Sequence, residues 1–409
     1  MKNKVINIAD YIFTFFLMIF TSRVIVSSLG VDQYAVYSAI GVTLMFAQAF
    51  EGGIGITLVQ RFISEKNNIG SYLKTALVLY LLFSLILLVT FLLNQKLYLS
   101  FLDISANDQD ILLVYIVLII SLISIYIVPF TSLIISKDLW GKLAFINVFS
   151  KATQLAFLLI ASFFDVISLT VVLIINLGAV TIRFIFCFYL SDAMIFLRNS
   201  SSRFKFLILS EILSLSKYAA LQYACVIALF YVDKVIFKGY FGLVEMSYLT
   251  FTMMVGINLH ALYGAVYRTI FSKLVGLSFL NAVTHTLSAW VKMLCLSCVL
   301  TLFIYLSWEW VISILISREF AEGTKKYIPF ILILVNIRTI EISLHFLSHS
   351  LARPKDVSVA SLIAAILACS SYSFAFSEYG VYSSIVIQMV VILLSYSTLF
   401  LFYYVRSRN

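Results

Sequence analysis

Stretches such as ALVLYLLFSLILLVTFLL at 76–93 leave a chain few options. In hydrocarbon no water satisfies backbone N–H and C=O groups, so a spanning segment is either a helix or a strand of a closed barrel. Barrel strands alternate over roughly ten residues. Neither this run nor IFTFFLMIF at 12–20 alternates, and similar runs recur along all 409 residues. About 20 residues of helix cross a bilayer. Only 11% of the residues are charged, against about a quarter in soluble chains, and the mean hydropathy is +1.06. These observations exclude a soluble globular protein and predict an all-α polytopic membrane protein. The apolar run after MKNK exceeds a signal-peptide core and precedes no small-residue cleavage site, so it is expected to be an uncleaved first span. Cys187, Cys225, Cys295, Cys298 and Cys369 all fall in apolar segments. CLSC at 295–298 has metal spacing but no second pair, so packing cysteines are predicted and no disulfide framework.

Twelve spans are expected, near 5–29, 34–58, 72–93, 111–135, 143–164, 167–190, 216–238, 244–267, 286–308, 328–351, 357–376 and 382–404. Lysine and arginine placement orients them. With the N-terminus inside, 18 of the 28 basic residues fall on the cytoplasmic side, Lys137, Lys142 and Lys151 among them. Lys96, Lys238, Arg318, Lys325 and Lys326 fall on the opposite side, and Arg23, Arg183, Lys234, Lys292 and Arg338 fall within spans. This asymmetry predicts that both termini are cytoplasmic. It also assigns much of the net charge of +9 to topology, so no nucleic-acid partner is implied. The longest polar break, 191–217, divides the chain into two six-span lobes, 1–195 and 216–409, joined by a cytoplasmic linker at 196–215. The halves are weakly alike: RVIVSSLGVDQY (23–34) parallels KVIFKGYFGLVEMSY (234–248), and LVQRFISE (58–65) parallels AVYRTIFSK (265–273). Six spans per half make this a parallel repeat, an arrangement that places a transported substrate between the halves.

Ionisable residues at membrane depth cost roughly 2.5–3.5 kcal/mol each, so they mark functional interiors or internal pairs. In RTIEISLHFLSH (338–349), Arg338, Glu341, His345 and His349 share an arc of about 80° on a helix. The order is not H-E-x-x-H, so a zinc site is disfavoured. A cavity lining and a structural Arg338–Glu341 pair both remain open. On the first span Asp10 belongs to a polar stripe with Asn3, Asn7, Thr14 and Thr21, while Arg23 points away from it. Glu51 precedes a glycine cluster that suits either a broken helix or a close helix contact. Lys234 lies beside Asp233 and could pair with it. Lys292 and His260 sit in apolar helices, and Arg183 is about two turns from the inner end of its span, where it could snorkel. The interior candidates are therefore more often cationic than anionic, which suits an anionic passenger.

At 21–65 the sequence resembles the Wzx-type O-antigen flippases, polysaccharide exporters of the superfamily that also holds MATE drug antiporters and lipid II flippases. Ser22, Arg23, Leu29, Gly30, Tyr34 and Tyr37 match that family's first-loop pattern, although Ala35 stands where a glycine is usual. In the second half Asp233, Lys234, Gly242 and Tyr248 match its corresponding segment. The resemblance covers essentially the whole chain. It implies a MATE-like, V-shaped carrier in the bacterial inner membrane, moving undecaprenyl-pyrophosphate-linked oligosaccharide to the periplasmic leaflet. A polymerase and a chain-length regulator are the implied protein partners, and no cofactor or metal is implied.

The expected mechanism is alternating access through a cationic central cavity, with the lipid tail left in the bilayer. Arg338, Lys292, Arg23, Lys234 and Arg183 are the candidate substrate contacts. Glu341, His345, Glu51, Asp233 and Asp10 are candidates for ion coupling or pairing. No nucleotide-binding motif is visible, and a non-enzymatic carrier is expected. The alternatives are a drug/ion antiporter of the same superfamily or, from another class, an O-antigen polymerase. A polymerase would carry a large charged periplasmic loop, and the longest outward break is only 94–110. An intramembrane metalloprotease would need H-E-x-x-H.

Overall fold

The structure, a computed structural model, describes residues 2–48, 53–103, 108–198, 203–274, 277–351 and 353–408. Sixteen α-helices follow in chain order: α1 (Lys2–Gln48), α2 (Ile54–Ser64), α3 (Ile69–Leu93), α4 (Gln95–Phe101), α5 (Asp108–Ser136), α6 (Trp140–Phe163), α7 (Leu169–Leu190), α8 (Ala193–Arg198), α9 (Phe206–Ile227), α10 (Asp233–Phe241), α11 (Leu243–Leu274), α12 (Phe279–Leu315), α13 (Arg318–Lys325), α14 (Ile328–Ser350), α15 (Pro354–Tyr379) and α16 (Ser383–Arg408). Among the described residues there is no strand. Nine helical stretches among them are long and apolar enough to cross a membrane, several of them longer than one crossing requires. The fold is therefore all-α and polytopic.

The chain forms two compact units, one of Phe13–Tyr223 and one of Met1–Ile12 with Ala224–Asn409. In the first unit α5 is the hub, packing against α2, α3, α6 and α7. Phe130 of α5 meets Phe184 and Phe188 of α7 edge-on, with ring centroids 5.7 and 5.3 Å apart. The segment 196–215 is not a bare connection: Ile208 and Ile212 of α9 are buried in the core that contains α3 and α5. Glu211 fixes α9 further, pairing with Arg61 at 2.5 Å and accepting a hydrogen bond from the Tyr72 hydroxyl at 2.6 Å. Helices α4, α5, α6 and α7 are followed by aspartates at positive φ: Asp103, Asp138, Asp165 and Asp192. After α5 and α6 the chain closes as Schellman motifs, through Leu139 N–H to the Ile134 carbonyl and Val166 N–H to the Ala161 carbonyl. Asp192 also accepts a 2.9 Å hydrogen bond from Lys137 Nζ, which holds its carboxyl below the usual carboxylate range.

In the second unit α14 is central, packing against α11, α12, α15 and α16. Hydrocarbon gives no hydrophobic drive for helices to associate, so polar bonds and close packing set the contacts. Three such bonds tie α12 to α14: Trp290 Nε1–H to Thr339 Oγ1 (3.0 Å), Ser297 Oγ–H to Asn336 Oδ1 (2.5 Å) and Asn336 Nδ2–H to Thr301 Oγ1 (3.0 Å). Behind them, Ser343 donates to the Tyr267 hydroxyl at 2.6 Å and so ties α14 to α11.

The weak sequence repeat has a backbone counterpart. Gly30 interrupts α1 at φ 80°, ψ 174°, and Gly242 separates α10 from α11 at φ 85°, ψ 173°. Those are the two glycines that the repeat aligns. The conformation is essentially restricted to glycine, while a Cβ at either position would meet no atom within 4 Å. Gly30→Ala and Gly242→Ala should therefore each lower unfolding stability by about 1–3 kcal/mol through backbone strain alone. Gly178→Ala, on helical backbone in α7 with open space around it, should be neutral or stabilising by about 0.5–1 kcal/mol. Thermal unfolding of the three purified variants in one detergent checks both expectations.

Candidate functional site: charges at membrane depth

The second unit holds two buried acid–base pairs, and one aromatic residue touches both. Between α9 and α10, residues Ala228–Val232 form a π-helical turn. Such widened turns disturb the regular helical ladder and commonly occur at functional sites. Side chains hydrogen-bond its carbonyls: Tyr372 Oη–H donates to the Leu229 carbonyl at 3.1 Å, and the Lys234 ammonium donates to the Phe230 carbonyl. Lys234 also pairs with Asp233 at 3.3 Å, and Gln388 Nε2–H donates to the other carboxylate oxygen at 3.1 Å. Asp233 and Lys234 are fully enclosed, at 0% and 1% exposure.

The RTIEISLHFLSH segment lies on α14. Arg338 Nε–H donates to Glu341 Oε2 at 2.7 Å, and both residues are buried. The Arg338 guanidinium carbon lies 3.8 Å from the centroid of the Phe230 ring. Phe230 thus gives its ring to one pair and its carbonyl to the other. His260 of α11 interacts electrostatically with Arg338, Glu341 and His345, and its Nδ1 is buried without a hydrogen-bond partner. Tyr396 of α16, hydrogen-bonded to Ser361 at 2.7 Å, feels both members of the Arg338–Glu341 pair. The structural pair and the charged helix face are therefore the same object. Arg338, the arginine expected to meet substrate, is committed to Glu341 and Phe230, and Lys234 is likewise committed to Asp233.

The other expected residues are differently placed. Lys292 on α12 and Arg23 on α1 are exposed, and neither has an ion-pair partner among the described residues. Asp10 on α1 is half-buried and has an interaction of its own. Glu51 lies outside the described residues.

A second group, in the first unit, corrects the topological assignment of Lys151. This lysine is not at a cytoplasmic end but is the twelfth residue of the 24-residue α6. Its Nζ donates to Gln154 Oε1 at 3.2 Å, and Gln154 Nε2–H donates to Asn176 Oδ1 of α7 at 3.4 Å. Tyr37 also hydrogen-bonds Gln154, and Tyr34 hydrogen-bonds Ser22. Arg183 of α7 is the charged neighbour of Lys151. The Arg183 Nε is buried with no hydrogen-bond partner. Leaving such a donor unsatisfied costs roughly 1–3 kcal/mol, and more for a charged group. Arg183 was visible in the sequence as an intramembrane cation. Lys151 was missed because loop lysines nearby drew it into the cytoplasmic group, although its three-residue spacing from Gln154 is a helical one.

No protein-family model matches the sequence, and no curated protein does. The fold, however, is shared with transporters of the MOP superfamily. It superposes on a multidrug resistance MATE family transporter in an inward-facing conformation with a TM-score of 0.77, at 10% identity, over 99% of this chain and 98% of that one. The lipid II flippase MurJ in an inward closed conformation gives 0.75 at 14% identity, over 99% and 91%. A MOP superfamily transporter from Pyrococcus furiosus Vc1, described as having a binding pocket of reverse polarity that suggests a different function, gives 0.64 at 13% identity, over 100% and 98%.

Removing one member of a buried ion pair leaves the other charge uncompensated, which typically costs 3–5 kcal/mol, whereas replacing both by apolar residues is often near neutral. Glu341→Leu should therefore destabilise the protein by about 3 kcal/mol or more. Arg338→Met combined with Glu341→Leu should recover most of that loss. Denaturant or thermal unfolding of the single and double variants in detergent tests the pairing.

Proposed function

We propose that this protein is a flippase for lipid-linked oligosaccharides. The observation that carries the reading is the charge balance at membrane depth. The buried carboxylates Asp233 and Glu341 are each neutralised by an adjacent cation, whereas Arg23, Lys151, Arg183 and Lys292 have no carboxylate partner among the described residues. A surplus of uncompensated cations favours an anionic passenger and disfavours a cationic drug. The substrate class that fits is a polyprenyl-pyrophosphate carrying sugars, with undecaprenyl-pyrophosphate-linked O-antigen units of a bacterial inner membrane as the specific proposal. Arg23 and Arg183 in the Phe13–Tyr223 unit, and separately Lys292 in the other unit, are the cations proposed to screen the pyrophosphate through charge-assisted hydrogen bonds. The Arg338–Glu341 and Asp233–Lys234 pairs would keep the rest of the path electrically quiet.

A headgroup with about two negative charges gains roughly 4–5 kcal/mol per 100 mV on leaving an inside-negative compartment, at about 2.3 kcal/mol per charge. Alternating access could then proceed without nucleotide hydrolysis. The rival reading, a drug/ion antiporter, draws on the same fold but needs an anionic site for cationic cargo. A polymerase and a chain-length regulator remain proposed partners.

In proteoliposomes carrying a fluorescent polyprenyl-diphosphate oligosaccharide, transfer out of the leaflet facing the N-terminus should accelerate when a potassium diffusion potential makes that side negative. Lys292→Met and Arg23→Met should each slow transfer by roughly tenfold, the scale of one charge-assisted bond. Transfer indifferent to both variants and to voltage, together with efflux of a cationic dye, would overturn the flippase reading in favour of the antiporter.

A further inference from the structure

We propose that Lys151 and Arg183 form a binding site for a diphosphate group within the Phe13–Tyr223 unit, an assignment that rests on the lipid-carrier reading above. The two residues project from adjacent packed helices, α6 and α7, and their charges act on each other. At 1.5 Å per residue Lys151 is roughly 16 Å from the start of α6, and Arg183 roughly 10 Å from the end of α7. Lys151 lies too deep for its side chain merely to extend to the headgroups, and Arg183, which could do so by depth alone, keeps its Nε buried instead. The Lys151 ammonium is also held in place, because it donates to Gln154 Oε1 one turn further along α6.

Two like charges side by side in a poor dielectric repel strongly, so the arrangement needs a counter-charge. Among the described residues neither cation has a carboxylate partner, and the only charged neighbour acting on Lys151 is Arg183 itself. No guanidinium nitrogen of Arg183 has a hydrogen-bond partner among the described residues, and Nε is buried. An oxyanion would satisfy both deficits. The guanidinium fork matches two oxygens of a phosphoryl group, and the ammonium serves as a compact charge for the next. Gln154, buried and bonded to Asn176 and Tyr37, sets the ammonium's position, so the donors are arranged before the ligand arrives. A net charge of about minus two cancels the pair, as a diphosphate does and a single carboxylate does not. Both cations are half-buried, which leaves them reachable.

The test uses the full chain in nanodiscs of zwitterionic lipid, with geranylgeranyl diphosphate, inorganic pyrophosphate and geranylgeranoic acid as probes. Geranylgeranyl diphosphate should bind, Lys151→Met with Arg183→Met should weaken it at least tenfold, and Lys151→Arg should stay within about threefold. Arg318→Met, at an exposed side chain of α13, should leave affinity unchanged. Unchanged affinity in the double variant would overturn the site, and so would equally tight binding of the carboxylate. Inorganic pyrophosphate binding as tightly as the lipid, and lost in the same variant, would keep the anion site and instead remove the lipid-carrier reading. A measurement on the unaltered protein does not depend on the variants folding: saturating geranylgeranyl diphosphate should reduce acetylation of Lys151 severalfold by mass spectrometry. Undiminished labelling would overturn the proposal.

Discussion

A charge removed from water has to be matched by something, and in a bilayer the choice of partner is narrow. The second unit answers internally. Asp233 with Lys234 and Arg338 with Glu341 are closed pairs, and Phe230 joins them by contributing a carbonyl to one and a ring face to the other. That junction lies on the π-helical turn at Ala228–Val232. Gln388 of α16 donates to Asp233, Tyr372 of α15 donates to the Leu229 carbonyl in the same turn, and His260 of α11 interacts electrostatically with Arg338 and Glu341. The packing of α14 among its neighbours is thus also the enclosure of these charges.

The first unit leaves its charges unmatched. Lys151 and Arg183 sit on neighbouring helices with amides and a tyrosine around them and no paired acid among the described residues. The same physical rule gives two closed, buried pairs in one unit and, at Lys151 and Arg183, two unmatched neighbouring cations in the other. This contrast supports the proposal of an anionic passenger.

Much of the architecture was legible in the sequence because the apolar runs admit only helices. The glycine repeat was legible because a left-handed, extended backbone tolerates almost nothing else, and Gly30 and Gly242 do adopt nearly the same angles. The adjacency of Arg338 and Glu341 follows from their three-residue spacing on α14. What the sequence concealed depends on long-range partners. Gln154 contacts a residue on α7, Arg338 rests on a ring more than a hundred positions earlier, and Glu211 anchors a segment that reads as a linker to α3 and to Arg61. Aspartate at a helix end in place of the usual glycine, as at Asp138 and Asp165, gives a weak local signal, and the π-helical turn gives none. Short helices such as α4 and α13 carry too few apolar residues to stand out.

The repeat has one more consequence. Arg23 and Lys234 occupy corresponding places ahead of the two matched glycines, yet Arg23 is exposed and unpaired while Lys234 is sealed against Asp233. A sealed pair is a dipole, and carrying it along the membrane normal moves no net charge. Arg23 moves a full elementary charge, worth about 2.3 kcal/mol for each 100 mV it crosses. The two matched segments therefore differ electrostatically: the first presents an unpaired charge at that position and the second a neutral pair.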